Sequence, residues 1–550
     1  MRPLLLDFLL LLTAACATTA PASPSTKTLD EDCTGQACVE LATAAANGTD
    51  ATTELPKARR LFARACDQGT PGACNALGLM TARGSGGEAD NAQAAELYAR
   101  DCERGWAEAC GNLGVATLHG KGVTRNVQVA RDLFQKACDA DLGSACAELG
   151  VLLHAEHGAG NAEQAAVVLE KGCRLKSLPA CAVLAHLAEN GEGVEKDLPR
   201  ALRLYEQACA GEVVWACQFA GTMHHRGFGT EESLEKAAPL LERACEGGSA
   251  DGCAYLSSLY SFGLRDREPH EERKLVLARK GCDGGSAWGC RLLGEALERG
   301  PYDENIRAEV IAAYEKGCQL DPTEGCVRLG NLFHYGSLRV EKDFARARTV
   351  YARACEGGDP FGCSQGAHLL KTEESVRGTP EQIVALHQRA CDLSGAFCHS
   401  LGEAYERGEG VTKDLPRAIS LYERDCQESN AGSGCGNLGL LYRKGLGVRR
   451  DLPKAVEYLQ QGCTRYSPSA CFALGEMSVK GEGVRKDPGA AFTFYEKACG
   501  NENAEACFRA AELRRRDRGS EWEATELYRR ACRAKHAKAC EAEKRYAPKR

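Results

Sequence analysis

The side chains best equipped for chemistry in this chain are its cysteines, and their spacing says which chemistry. Cys66 and Cys74 stand eight residues apart, with Gly69, Pro71 and Gly72 between them. The interval recurs from Cys102 to Cys110, Cys138 to Cys146, Cys173 to Cys181, Cys209 to Cys217, Cys245 to Cys253 and Cys282 to Cys290. It continues from Cys318 to Cys326, Cys355 to Cys363, Cys463 to Cys471, Cys499 to Cys507 and Cys532 to Cys540. The step from Cys391 to Cys398 is one residue shorter, and that from Cys426 to Cys435 is one longer. Zinc sites gather their ligands through closer pairs such as C-x2-C, and no histidine recurs at a matching offset, so neither metal nor cofactor is expected. Thirty-one cysteines are also far too many for a reducing compartment. Each pair is therefore read as a disulfide, which places the chain outside the cytoplasm.

These bridges make a demand on the chain that carries them. Eight residues of straight helix rotate by about 800° and rise by about 12 Å, whereas bridged Cα atoms lie about 4.4–6.8 Å apart. The chain must turn between the two cysteines, and Gly and Pro suit such a turn. Successive pairs follow at 35 to 37 residues, with a shortened last step. A fixed period of that size marks a solenoid, which grows lengthwise without enlarging one core. Cys38 precedes Cys66 by the same 28 residues that separate Cys74 from Cys102. It therefore fills the second place of a pair, with Cys33 as its displaced partner.

The interval Cys181–Cys209 shows what one unit contains. Cys181, Leu184, Ala185 and Ala188 fall three or four apart, the spacing of one helical face. Gly191 and Gly193 break that helix. Asp197 then suits an N-cap and Pro199 a first turn. Ala201, Leu204, Tyr205 and Ala208 form a second apolar stripe. The Gly-x-Gly-Val loop returns at Gly120–Val123, Gly408–Val411, Gly445–Val448 and Gly481–Val484. The first helix repeatedly carries Leu-Gly, as at Leu113-Gly114 and Leu329-Gly330. A mid-helix glycine costs about 1 kcal/mol relative to alanine, so its recurrence implies close approach of a neighbouring helix.

The pattern C-x2-L-G, G-x-G-V, D-x2-[KR]-A and Y-x2-A-C resembles the Sel-1-like repeat, a relative of the tetratricopeptide repeat. With a cysteine pair in each unit it is similar to the Helicobacter cysteine-rich proteins. The resemblance spans Cys38 to about Ala547. It implies an all-α, right-handed α-solenoid superhelix of about fourteen disulfide-stapled antiparallel helix pairs. It also implies an extended concave face lined by the first helices, where Asn112 and Asn437, two residues after their cysteines, could bond a peptide backbone.

Met1–Cys16 (MRPLLLDFLLLLTAAC) has one basic residue, an apolar run too short to span a bilayer and small residues before a cysteine. It is read as a lipoprotein signal with lipidation at Cys16, the one cysteine left without a pair. Thr13 and Asp7 depart from the usual pattern, and the alternative is an ordinary signal peptide and secretion. Ala17 after the cysteine favours, by resemblance to lipoproteins, the outer membrane. Residues 17–32 form a flexible tether, 33–547 the solenoid and 548–550 a tail. The formal charge of −7 argues against nucleic acid. Residues 508–550 alone carry +7, as a solvated cap or as a contact for an anionic envelope surface.

Three side-chain groups remain. His154 and His157 could share a helical face, but no acidic or cysteine ligand joins them at a metal-site spacing. His224-His225 is the other close pair. Ser233-Leu-Glu-Lys236 matches S-x-x-K, yet it stands where other repeats start their second helix and lacks S-D-N and K-T-G companions. Ser233 is read as a helix cap, and no catalytic residue is assigned. The expectation is an exported scaffold or adaptor that binds envelope proteins or peptides and touches the membrane only through its lipid. The alternative implied by the family is a β-lactam-binding protein or weak β-lactamase.

Overall fold

The structure is a computed structural model that describes residues 33–47, 51–156, 159–262, 270–300, 303–500, 503–515 and 521–546. The signal sequence with Cys16, the tether, the 548–550 tail and His157 lie outside them. Among the described residues there are 29 α-helices, a few short 3-10 turns and no strand. None of these helices is long and apolar enough to cross a membrane. The chain divides into two compact units, 1–270 and 271–550. In the first unit, antiparallel pairs run from Gln36–Ala46 with Ala51–Asp67 to Val214–Arg226 with Leu234–Glu246, followed by Ala250–Phe262. In the second, after His270–Asp283, pairs run from Ala287–Leu297 with Glu304–Leu320 to Ala504–Arg514 with Glu521–Arg533, and Ala537–Tyr546 follows.

Local chemistry starts and stops each helix. In Leu198–Ala210 the Asp197 carboxylate accepts from the Arg200 N–H at 2.9 Å, with Pro199 in the first turn. The same cap recurs at Asp90, Asn126, Asp343, Asp414 and Asp451. It satisfies N–H groups that the first turn leaves open. The preceding helix, Leu178–Asn190, stops at Gly191, whose left-handed φ of 77° lets its N–H turn back to the Leu187 carbonyl.

The two helices of a pair differ in burial. Leu178–Asn190 buries Ala182 and Val183 as well as the expected Cys181, Leu184, Ala185 and Ala188, because helices pack on it from several sides. Leu198–Ala210 buries one stripe. Leu202 lies in that stripe, while Leu204, expected there, is half-buried. The mid-helix glycines are where the helices of a pair touch. A Cβ on Gly114 would lie 2.7 Å from the Phe134 ring, and one on Gly330 would lie 2.4 Å from Tyr351, closer than atoms pack.

All fifteen cysteine pairs are bridged as their spacing predicts. In the first unit the bridges are Cys33 to Cys38, Cys66 to Cys74, Cys102 to Cys110, Cys138 to Cys146, Cys173 to Cys181, Cys209 to Cys217 and Cys245 to Cys253. In the second they are Cys282 to Cys290, Cys318 to Cys326, Cys355 to Cys363 and Cys391 to Cys398. Cys426 to Cys435, Cys463 to Cys471, Cys499 to Cys507 and Cys532 to Cys540 complete the series. The turn between them needs fewer glycines than expected. Most joints place one left-handed residue three positions after the first cysteine, whereas Asp321, Ser394 and Ser429 at that place keep a negative φ. The left-handed residue is Gly69, Gly105 and Gly248 in some joints, but Asp141, Lys176, Glu212 and Tyr466 in others.

Candidate interaction face on the first helices

Position two after the second cysteine of a joint defines a row along the first helices. In the first unit, Asn112 donates from Nδ2 to Asn75 Oδ1 at 2.8 Å, one repeat back. In the second unit, Arg328 Nη2 lies 2.9 Å from Glu295 Oε1. There too Gln365 Oε1 accepts from the Tyr335 hydroxyl at 3.3 Å, and Asn437 Nδ2 donates to Glu403 Oε1 at 3.3 Å. Asn112 and Asn437 thus lie on the first helices, and each spends one N–H on the preceding repeat. The Asn112 side chain makes no other hydrogen bond among the described residues, so its remaining amide donor and acceptor capacity stays available. Asn75 carries little weight in the sequence, yet it is the partner of Asn112. Asn331 instead accepts from the buried Tyr351 hydroxyl at 2.7 Å.

Several polar side chains of the repeats are used for structure. The Tyr205 hydroxyl donates to Glu189 Oε2 at 3.0 Å and the Tyr422 hydroxyl to Glu406 Oε2 at 2.7 Å. Tyr528 is tied to Glu512 in the same way. Each carboxylate lies on a first helix and anchors the tyrosine that packs beneath it. Burial, then the nearby carboxylate, raises the pKa of Tyr205 well above the ordinary phenol range. Ser233 Oγ accepts from the Lys236 N–H at 3.3 Å, so its hydroxyl serves as the cap read from the sequence. His154 lies 3.4 Å from Glu192, and no group of three metal-ligating side chains forms among the described residues.

Histidines gather in the second unit. The His334 and His368 rings lie 5.9 Å apart. His387 is pushed down to about 4 by burial, with the charges of His399, Lys371 and His368 acting in the same direction. Burial works most strongly against protonation of His399, but its hydrogen bond to Asp425 and the charges of Asp425 and Glu403 together outweigh that and raise its pKa.

The joints are satisfied from the next repeat. Lys136 Nζ reaches the Cys102 carbonyl at 2.7 Å, and Lys171 Nζ reaches that of Cys138 at 2.7 Å. Arg243, Arg389 and Arg530 reach Cys209, Cys355 and Cys499 at 2.8, 3.1 and 3.1 Å. A cation on the open carbonyls of a helix C-terminus is favourable both as hydrogen-bond donor and as dipole partner. The signal was present in the sequence: a Lys or Arg two residues before the first cysteine, as in Lys136-Ala-Cys and Arg243-Ala-Cys.

Comparison with known proteins agrees with this architecture. The Sel1 repeat profile matches nine segments: 35–70, 71–105, 107–142, 178–212, 216–249, 323–359, 396–426, 433–466 and 468–503. A protective antigen of uropathogenic Escherichia coli strains, which displays an SLR fold, is 20% identical with a TM-score of 0.54, over 88% of this chain and 96% of its own. A Sel1 repeat protein from Oxalobacter formigenes is 22% identical with a TM-score of 0.40, over 44% of this chain and 94% of its own. Helicobacter pylori cysteine rich protein B is 29% identical with a TM-score of 0.21, over 24% of this chain and 96% of its own. No curated protein matches. With the matched segments covering more than half of its length, and with the helix pairs and joints described above, the chain belongs to the Sel1 repeat family.

Proposed function

We propose that the chain is an exported, disulfide-braced scaffold whose first-helix face binds peptide segments of protein partners in the bacterial cell envelope, with lipid on Cys16 as its membrane anchor. The carrying observation is that neighbouring first helices carry polar side chains at one shared position, Asn112 and Glu148 in the first unit and Arg328, Gln365 and Asn437 in the second, of which Asn112 is the best placed to bond a peptide. An extended row suits an extended chain, because alternate peptide groups meet equivalent side chains of adjacent repeats. The fifteen bridges support an oxidising compartment. Ser233, occupied as a cap, gives the β-lactam alternative no support.

The test is site-specific photo-crosslinking in cells. A photoreactive residue at Asn112 or Asn437 is expected to form defined adducts with envelope proteins, while one at exposed Glu170 on a second helix forms none. Equal capture from all three positions would sink the binding-face reading. Cys16→Ala is expected to release the protein from the membrane fraction.

A further inference from the structure

Glu148 occupies the row position held elsewhere by Asn112, Arg328, Gln365 and Asn437. Those four bond to the preceding first helix, but Glu148 bonds to nothing there. It is 7% exposed, and its Oε2 is buried without a hydrogen-bond partner. The reason lies one repeat back. Five residues after the cysteine, where Glu295 meets Arg328 and Glu403 meets Asn437, helix Ala107–His119 carries Val115. A carboxyl group is therefore buried between Ala147 and Leu149, members of an apolar cluster against which Val115 and Val151 also pack. An ionised carboxylate left there unpaired is costly, and burial alone pushes its pKa up to about 7. Neighbouring helices carry His119, Arg131, Lys171, His186 and Glu189, but none of these bonds to it.

A buried carboxylate without a partner, one repeat on from an asparagine with spare amide capacity and on a helix with half-buried Val151, lacks one thing: a cationic donor on an aliphatic stem. We propose that the first-helix face between Asn112 and Glu148 binds a primary ammonium group of a peptide, with Glu148 as its counter-charge and the Asn112 amide holding the adjacent peptide group. The site rests on the peptide-binding reading above and names the chemistry it selects. Val115 and Val151, each three residues beyond its polar neighbour on the same helical face, receive the stem. The ammonium comes either from an N-terminus or from a lysine side chain.

Calorimetry on the oxidised full chain separates these sources. Alanyl-alanine amide offers only an N-terminal ammonium, acetyl-lysine amide only a side-chain one, and acetyl-alanine amide neither. At least one ammonium probe is expected to bind at pH 8 and to weaken by about tenfold per pH unit once Glu148 takes up a proton. Glu148→Gln is expected to lose that binding while melting like wild type at pH 6. In wild type, followed by 13C NMR, the bound probe is expected to lower the Glu148 pKa by about a unit or more, a readout independent of the variant. The proposal is overturned if both ammonium probes bind no better than acetyl-alanine amide, if Glu148→Gln binds them as wild type does, or if the Glu148 titration does not move. Crosslinks from Asn112 would in that case leave the binding face standing and remove only its selectivity. Absence of those crosslinks would remove the face itself.

Discussion

The joint between Cys209 and Cys217 and the joint between Cys426 and Cys435 solve one problem with chains of different length. Their Cα–Cα distances are both 4.6 Å, although the cysteines are eight residues apart in one and nine in the other. In the shorter joint Ala208 precedes the cysteine, Glu212 takes the left-handed turn, and Arg243 of the next repeat binds the Cys209 carbonyl. In the longer one Asp425 stands in place of the alanine, fully buried. It accepts from the Gly434 N–H at 2.8 Å, from the His399 N–H at 3.3 Å and from His399 Nδ1 at 3.2 Å. Those N–H groups open helices whose own caps, Phe397 and Gly432, offer no side-chain acceptor. Asp101 repeats the device in the first unit, taking the Asn75 N–H at 2.8 Å. The cysteine geometry is thus held fixed, and the open ends of the helices decide what surrounds it.

The comparison can be broken most sharply at Asp425. Asp425→Ala strands the buried Gly434 N–H and the part-buried His399 N–H and is expected to cost about 3 kcal/mol, read as a fall in the urea midpoint of the transition reporting residues 398–444. The pair with His399 also sets a pH dependence. Because His399 has a raised pKa in the folded chain, its contribution is complete below the ordinary histidine range and is lost as pH rises through the folded value. Asp425→Asn is therefore expected to flatten the loss of stability between pH 6 and pH 8.

Breaking the bridges should make the two joints look alike. Cys209→Ser and Cys426→Ser are each expected to cost about 2–3 kcal/mol, because loop-closure entropy barely distinguishes eight residues from nine. Thermal melts of the oxidised proteins test this, and the difference from wild type should vanish after full reduction. A large inequality would mean that strain, rather than chain entropy, sets the contribution. Removing the clamp alone, by Arg243→Met, is expected to cost about 1.5 kcal/mol and to leave the bridge intact in a thiol titration. The smallest effect is a gain. Glu212→Gly relieves a left-handed conformation in a residue with a Cβ and should stabilise the shorter joint by about 1 kcal/mol.

What could be read from the sequence is what recurs within one repeat. The Asp197 cap, the Gly191 stop, Ser233 as a cap and the glycine contacts all depend on residues near one another in the chain, and periodicity displayed them many times. The missed features depend on a residue one repeat away. Asn112 finds Asn75 across 37 positions, and nothing local to Asn112 announces that partner. Asp101 and Asp425 were visible as the acidic exceptions in Arg-Asp-Cys, but their purpose appears only when the uncapped helix of the preceding repeat lies against them. The amphipathic pattern fails in Leu178–Asn190 for a related reason. A helix enclosed on several sides has no polar face for a 3.6-residue period to display.

The lysine and arginine clamps give the chain a direction. The Cys102 carbonyl waits for Lys136, and the Cys138 carbonyl for Lys171, so each turn is completed by a side chain synthesised 33 or 34 residues later. A chain threaded amino-end first would close like a zip with its slider always one tooth behind. Oxidants would meet each cysteine pair before its clamp arrives, and a stalled chain would carry a single unfinished turn at its trailing edge.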